Sequence, residues 1–62
     1  MITRADLDRR ICDVEGGENT ETYREFIRKS EEVFGMANEH IDYYPDDEIN
    51  MYIMELNYLW EK

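Results

Sequence analysis

Glycine and proline residues divide this sequence into three stretches whose apolar residues recur at helical spacing. The pair Gly16 and Gly17 follows the first stretch, Gly35 follows the second, and Pro45 precedes the third. Glycine supplies the left-handed backbone that ends helices, and proline suits the first turn of a helix. No stretch shows the alternation of apolar and polar residues that is typical of a strand. The sequence therefore predicts a small helical bundle.

The first two stretches predict two helices. The first helix covers about residues 4–14 and opens with a weakened capping box in which Asp6 stands where Glu is usual. The second helix is capped by Asn19 or Thr20 and ends at Gly35. Its apolar stripe contains one polar gap and comprises Tyr23, Phe26, Ile27, Ser30, Val33 and Phe34.

The third stretch predicts a helix over residues 46–60. Three acids follow Pro45 and oppose the helix dipole favourably. The buried face is predicted to comprise Ile49, Tyr52, Ile53, Leu56, Leu59 and Trp60, with Asn50, Glu55 and Asn57 in water. Before this helix, at most one helical turn fits between Glu39 and Tyr44, because proline disfavours helix in the residue that precedes it.

The charge of the chain limits its partners. It contains 16 Asp and Glu against 7 Lys and Arg, a formal net charge of -9. Affinity for nucleic acids comes from Lys and Arg that neutralise phosphates, so direct nucleic-acid binding is not expected. A charged partner should be a basic protein, because opposite charges steer association. The alternative is that the acidity serves only solubility.

Length and composition predict one domain over residues 1–62. No apolar run approaches the length of a membrane span, and no signal-peptide pattern opens the chain. We therefore expect a cytoplasmic protein with no membrane partner.

No set of residues in the sequence suggests an enzyme. Cys12 is the only cysteine and His40 the only histidine, so one chain cannot assemble a His/Cys metal site. The acidic neighbours Asp13 and Glu15, which follow Cys12, disfavour the thiolate that nucleophilic catalysis requires. The acids at residues 46–48 lack the alternating donors and glycine of a calcium loop. We predict no catalysis, no cofactor and no metal.

The adjacent residues Tyr43 and Tyr44 suggest recognition instead. Neighbours on a helix point about 100° apart, so at least one ring should be exposed. An exposed tyrosine offers apolar area, a polar tip and little entropy to lose. Alternatively, one ring is in the core and the other is incidental. The outward face of the second helix is predicted to carry Glu21, Arg24, Glu25, Arg28, Glu31 and Glu32, as part of the same surface or as an ordinary solvated face.

In combination, these features resemble the immunity proteins of DNase-type colicins and pyocins, as a divergent or shortened member. The specific element is the triplet at residues 43–45, Tyr-Tyr-Pro. Supporting elements are residues 11–15, the acids Glu31 and Glu32, and Trp60 near the end of the last helix. The chain departs from the family after Trp60, where Glu61 and Lys62 stand in place of a tail rich in Lys and Arg.

The resemblance implies both a fold and a function. The fold would be a small distorted four-helix bundle, with three main helices and a very short helix near residues 39–44. The protein would bind a cognate nuclease toxin beside its active site and exclude DNA, acting as a monomer when free. The implied partner-binding residues are Tyr43, Tyr44, Pro45, Asp42, Cys12, Asp13, Tyr23, Arg24, Ile27, Arg28 and Glu31.

Two other functions fit parts of the sequence. A small acidic phage or plasmid protein that mimics DNA would explain the charge but not the Tyr-Tyr-Pro triplet. A homodimerising helical module would explain the many large apolar residues of a short chain.

Overall fold

The computed structural model describes the whole chain, residues 1–62. Its three α-helices are α1 (Ile11–Glu15), α2 (Tyr23–Val33) and α3 (Asp46–Glu61). One-turn 3₁₀ helices at Arg4–Asp6 and Ile41–Tyr43 precede α1 and α3. The chain forms no strand, so the predicted all-α class is confirmed. No helix combines the length and the apolar character needed to cross a membrane.

The predicted continuous helix over residues 4–14 is wrong. The capping box forms, since the Thr3 amide donates to Asp6 Oδ2 at 2.9 Å, but the helix that follows lasts one turn. The chain then pairs with the residues before α2 and with the first turn of α2. The Ile11 amide donates to the Glu21 carbonyl at 2.8 Å, and the Arg24 amide donates to the Leu7 carbonyl at 2.8 Å. Backbone groups that a helix would pair locally are thus paired across the fold.

The cap of α2 lies later than predicted. Its N-cap is Thr22, not Asn19 or Thr20. The Thr22 hydroxyl accepts from the Glu25 amide at 3.1 Å, and Glu25 Oε1 accepts from the Thr22 amide at 2.9 Å. This reciprocal pair is a full capping box. At the other end, Gly35 has a φ of 67°, the left-handed geometry predicted for the end of this helix.

The core lies between α2, α3 and the two 3₁₀ turns. Its eight buried apolar side chains are Ile2, Leu7, Tyr23, Ile27, Ile41, Ile49, Tyr52 and Leu56. The predicted face of α3 is partly confirmed, because Ile53 and Leu59 are only half-buried and Trp60 is 43% exposed. Val33, predicted within the stripe of α2, is 57% exposed.

Two polar residues join distant parts of the chain. Asn50, predicted to lie in water, is half-buried: its Oδ1 accepts from the Ile2 amide at 3.0 Å, and its Nδ2 donates to the Ile2 carbonyl at 2.7 Å. Ser30, predicted as a polar gap, is buried, and its hydroxyl accepts from Trp60 Nε1 at 2.8 Å. The start of the chain and the end of α3 are thereby attached to the core.

Candidate interaction surface

The segment between α2 and α3 presents one tyrosine to solvent. We call residues 39–45 the tyrosine segment. Its 3₁₀ turn places Ile41 fully in the core, whereas Tyr43 is 83% exposed. The Tyr43 hydroxyl makes no hydrogen bond, and its ring lies 6.4 Å from the ring of His40. Tyr43 is therefore the free aromatic group of the segment.

Tyr44 has a different environment from its neighbour. It is half-buried, and its ring packs edge-to-face on Tyr52 with centroids 6.4 Å apart. Its hydroxyl donates to Glu39 Oε2 at 2.9 Å, and this hydrogen bond raises the pKa of Tyr44. The expectation that at least one ring of the pair is exposed is confirmed. Tyr44 therefore packs against the core and also keeps part of its surface exposed.

A buried carboxylate holds the start of the tyrosine segment. Glu31 has no exposed surface, and its Oε2 accepts from the Glu39 amide at 2.9 Å and the Tyr52 hydroxyl at 2.6 Å. Its Oε1 accepts from Arg28 at 2.7 Å. Burial by itself would raise the pKa of Glu31, but these three hydrogen bonds outweigh it and lower the pKa. The charged carboxylate thus joins α2, α3 and the segment.

Arginine side chains hold the middle of the tyrosine segment. Arg24 donates to both carboxylate oxygens of Asp42, at 2.7 and 3.0 Å, and to Asp8 Oδ1 at 2.8 Å. Arg4 donates to the Asp42 carbonyl at 3.0 Å. The hydrogen bond from Arg24 lowers the pKa of Asp42. Ile41 and Glu39 fix the segment before Tyr43, and the packing of Tyr44 on Tyr52 fixes it after Tyr43.

The structure separates the predicted partner-binding residues by their exposure. Tyr23, Ile27 and Glu31 are buried, so the prediction that Glu31 faces outward is wrong. The Tyr23 hydroxyl donates to Glu15 and fixes α1 on α2; burial and this carboxylate raise the pKa of Tyr23. None of the three presents a surface that a partner could contact in this conformation.

The remaining predicted residues keep some exposed surface. Arg24 and Arg28 are half-buried, and the guanidinium group of each forms an ion pair with a carboxylate of this chain. Cys12 is half-buried and Asp13 exposed, and no hydrogen bond or ion pair joins either to the tyrosine segment. Tyr43, Pro45 and Asp42 are exposed and lie together in the tyrosine segment.

The charge is strongly segregated along the chain. Residues 31–61, which we call the acidic half, contain nine acidic residues and no Lys or Arg. Residues 1–30 contain seven acidic and six basic residues. The negative charge is therefore concentrated in the second half of the sequence. No group of three or more His, Cys, Asp or Glu side chains is arranged to hold a metal ion.

Two features of the acidic half were not predicted from the sequence. One is a groove between the α2–α3 connection and α3, lined by Met36, Glu39, Tyr44, Asp47, Glu48, Met51, Tyr52 and Glu55. The other is a solvent-facing stripe on α3 formed by Met51, Met54 and Tyr58, each at least 60% exposed. The helical period contains the signal, because these three positions lie opposite Ile49, Tyr52 and Leu56.

Comparison with known proteins provides no relative. No protein-family model matches the chain, and no curated protein and no solved structure matches it significantly. The resemblance to nuclease immunity proteins therefore depends on the quoted residues alone.

Proposed function

We propose that this chain is a binding protein that covers a basic surface of a partner protein, and that the partner is a nuclease toxin. In this proposal the chain is an immunity protein that acts in the cytoplasm by occlusion and performs no catalysis. The main observation in favour is Tyr43, an exposed aromatic side chain on a segment that is fixed at both ends. The fold would be a distorted four-helix bundle if the first 3₁₀ turn and α1 are counted as one interrupted helix.

The fixed backbone around Tyr43 favours binding energetically. Association costs free energy when loops and side chains must be ordered. Here the ordering is already present in the free chain, through Glu31, Ile41 and Arg24. A tyrosine adds large contact area with only two side-chain torsions to restrict. Such residues are typical of the few that dominate an interface.

The charge distribution favours a basic partner. Arg24 and Arg28 pair with two of the nine carboxylates of the acidic half, and the remaining negative charge produces a potential that raises the rate of encounter with a positive surface. Nuclease domains have positive surfaces because they bind phosphates. Occupying that surface with carboxylates would exclude DNA both sterically and electrostatically.

A second candidate follows from the same charge segregation. A protein that mimics DNA would use rows of carboxylates in place of phosphates, and the acidic half provides nine acids without a basic residue. Such a protein would block nucleic-acid-binding host proteins that are not nucleases. It would depend on the carboxylates more than on Tyr43.

The test is inhibition of nuclease domains. DNase domains of colicin and pyocin type, together with any nuclease encoded immediately upstream of this chain, are assayed for DNA cleavage with and without the protein. We expect one of them to be inhibited, with an association rate that falls as salt screens the charges over a Debye length of about 8 Å. Absence of inhibition across the panel, with binding to a non-nuclease DNA-binding protein, would support the DNA mimic instead.

A further inference from the structure

We propose that the groove between the α2–α3 connection and α3 binds a basic amphipathic segment of a protein, with a Lys or Arg side chain inside the groove. This inference rests on the proposed function in one respect: it names a second contact region on the same partner. Apart from Tyr44, the residues that line this groove are not among those that the resemblance to immunity proteins implies.

The groove has an aromatic floor and acidic walls. Tyr44 and Tyr52, in edge-to-face contact, form its aromatic part. Four carboxylates line it, contributed by Glu39, Asp47, Glu48 and Glu55. None of the four forms an ion pair with a Lys or Arg of this chain; the basic side chains that form ion pairs are Arg9, Arg24, Arg28 and Lys29. An incoming cation would therefore displace no Lys or Arg of this chain.

The apolar content of the groove distinguishes it from an ordinary acidic surface. Met51 is 61% exposed at its edge, and Met36 is half-buried beside it. The long stem of Lys or Arg covers apolar surface while its charged end reaches a carboxylate. Its charge is also attracted to the face of a tyrosine ring. Methionine adapts its shape to different side chains, which suits a site for a flexible basic residue.

The charges favour a basic segment, and not a second copy of the chain, as the occupant of the groove. Each copy has a net charge of -9, and the acidic half offers no Lys or Arg to complement the four carboxylates. Two such faces would repel one another. The exposed stripe of Met51, Met54 and Tyr58 beside the groove gives the apolar side of an amphipathic segment a surface to contact.

The test uses a synthetic amphipathic helix of Lys and Leu, about 18 residues or five turns long, and a scrambled peptide of equal charge. Binding is measured by calorimetry and mapped by amide shifts in the labelled protein. We expect the shifts to cluster at residues 36–55. We expect Glu55→Lys and Met51→Ser each to weaken binding about tenfold. The scrambled peptide should bind more weakly than the helix.

Two matched controls separate a specific groove from general charge attraction. Glu18→Lys makes the same charge change on an exposed loop residue outside the groove, and Val33→Ser changes an exposed apolar residue of α2 that belongs to neither the groove nor the stripe. Both should reduce binding less than threefold. Equal loss for Glu55→Lys and Glu18→Lys, or shifts spread over the whole surface, would overturn the groove proposal.

The two proposals fail in different ways. If a nuclease domain is inhibited equally by the parent and by Glu55→Lys, the groove proposal is wrong while the proposed function stands. If the groove binds the basic peptide as expected but no nuclease is inhibited, the proposed function is wrong while the groove assignment stands.

Discussion

The Tyr52 hydroxyl donates a 2.6 Å hydrogen bond to the buried Oε2 of Glu31, and the same oxygen accepts the Glu39 amide at 2.9 Å. One atom therefore joins α3, α2 and the start of the tyrosine segment. A buried carboxylate is stable only while its hydrogen bonds are present, because the charge would otherwise be left without compensation. The placement of Tyr43 depends on this junction.

The first prediction concerns Glu31→Gln. The amide provides one oxygen and one NH₂ where the carboxylate has two acceptors, so a donor would face another donor. We expect a loss of about 2 kcal/mol in the free energy of unfolding. Urea denaturation followed by circular dichroism measures it. Glu32→Gln, at the exposed neighbouring position, is the matched control and should change stability by less than about 0.5 kcal/mol. Equal effects would show that the Glu31 junction contributes no stability.

The second prediction is acid sensitivity that depends on Glu31. The pKa of Glu31 is lower in the folded chain than its ordinary value of 4.5. A lowered pKa means that the group stabilises the fold above its unfolded value and that this contribution is lost as pH falls through the folded value. Unfolding free energy should therefore fall with pH in the acid range below 4.5.

The control for the acid prediction is Glu31→Gln itself. Asp6, Glu25 and Asp42 also have lowered pKa values, so the parent and the variant share their contributions. The difference in stability between the two proteins should shrink as pH falls. A difference that stays constant down to pH of about 3 would contradict the charged state assigned to Glu31.

Local signals in the sequence predicted α2, α3 and the turn between them, because Gly35, Pro45 and the apolar periods act within a few residues. They failed over residues 4–14, because backbone groups there pair with residues around the start of α2. No local sequence pattern predicts that pairing. The sequence predicts Asn50 in water because its partner, Ile2, is distant along the chain. Glu31 lies one helical turn after the buried Ile27, so the helical period alone favours a buried side chain. Its charge favours an exposed side chain, and the prediction that Glu31 faces outward follows from the charge.

The candidate site could also be predicted only in part from the sequence. The exposure of one tyrosine followed from the adjacency of two, and the structure adds which one it is. The groove and the Met51, Met54 and Tyr58 stripe depend on how the connection packs against α3. That packing joins residues that are distant along the chain, so local patterns predict neither feature beyond the helical period of α3.

The third prediction concerns the attachment of the end of α3. Trp60 Nε1 donates to Ser30 Oγ at 2.8 Å, and the Trp60 ring packs on Phe34 with centroids 5.0 Å apart. Trp60→Phe removes the donor and keeps an aromatic ring, so we expect a loss of about 1 kcal/mol in unfolding free energy. Combining Trp60→Phe with Ser30→Ala should cost less than the sum of the single changes. Additive losses in urea unfolding would mean that this hydrogen bond does not stabilise the chain.

The last prediction separates the two tyrosines by the environments that the structure gives them. Tyr43 is 83% exposed and makes no hydrogen bond through its hydroxyl, so Tyr43→Ala should leave the free energy of unfolding within about 0.5 kcal/mol of the parent. Its loss should weaken binding to an inhibited nuclease domain by about 2 kcal/mol, as for an aromatic anchor.

Tyr44→Ala should behave differently, because it removes the contact with Tyr52 and the hydrogen bond to Glu39. We expect it to reduce stability by at least about 1 kcal/mol and to weaken binding as well. Urea unfolding and inhibition titrations on both variants test the pair, with Tyr43→Phe as the control that keeps the ring. If Tyr43→Ala inhibits the nuclease as strongly as the parent while Tyr44→Ala does not, the anchor is Tyr44 and the assignment to Tyr43 is wrong. If both variants inhibit as the parent does, the binding surface lies outside the tyrosine segment.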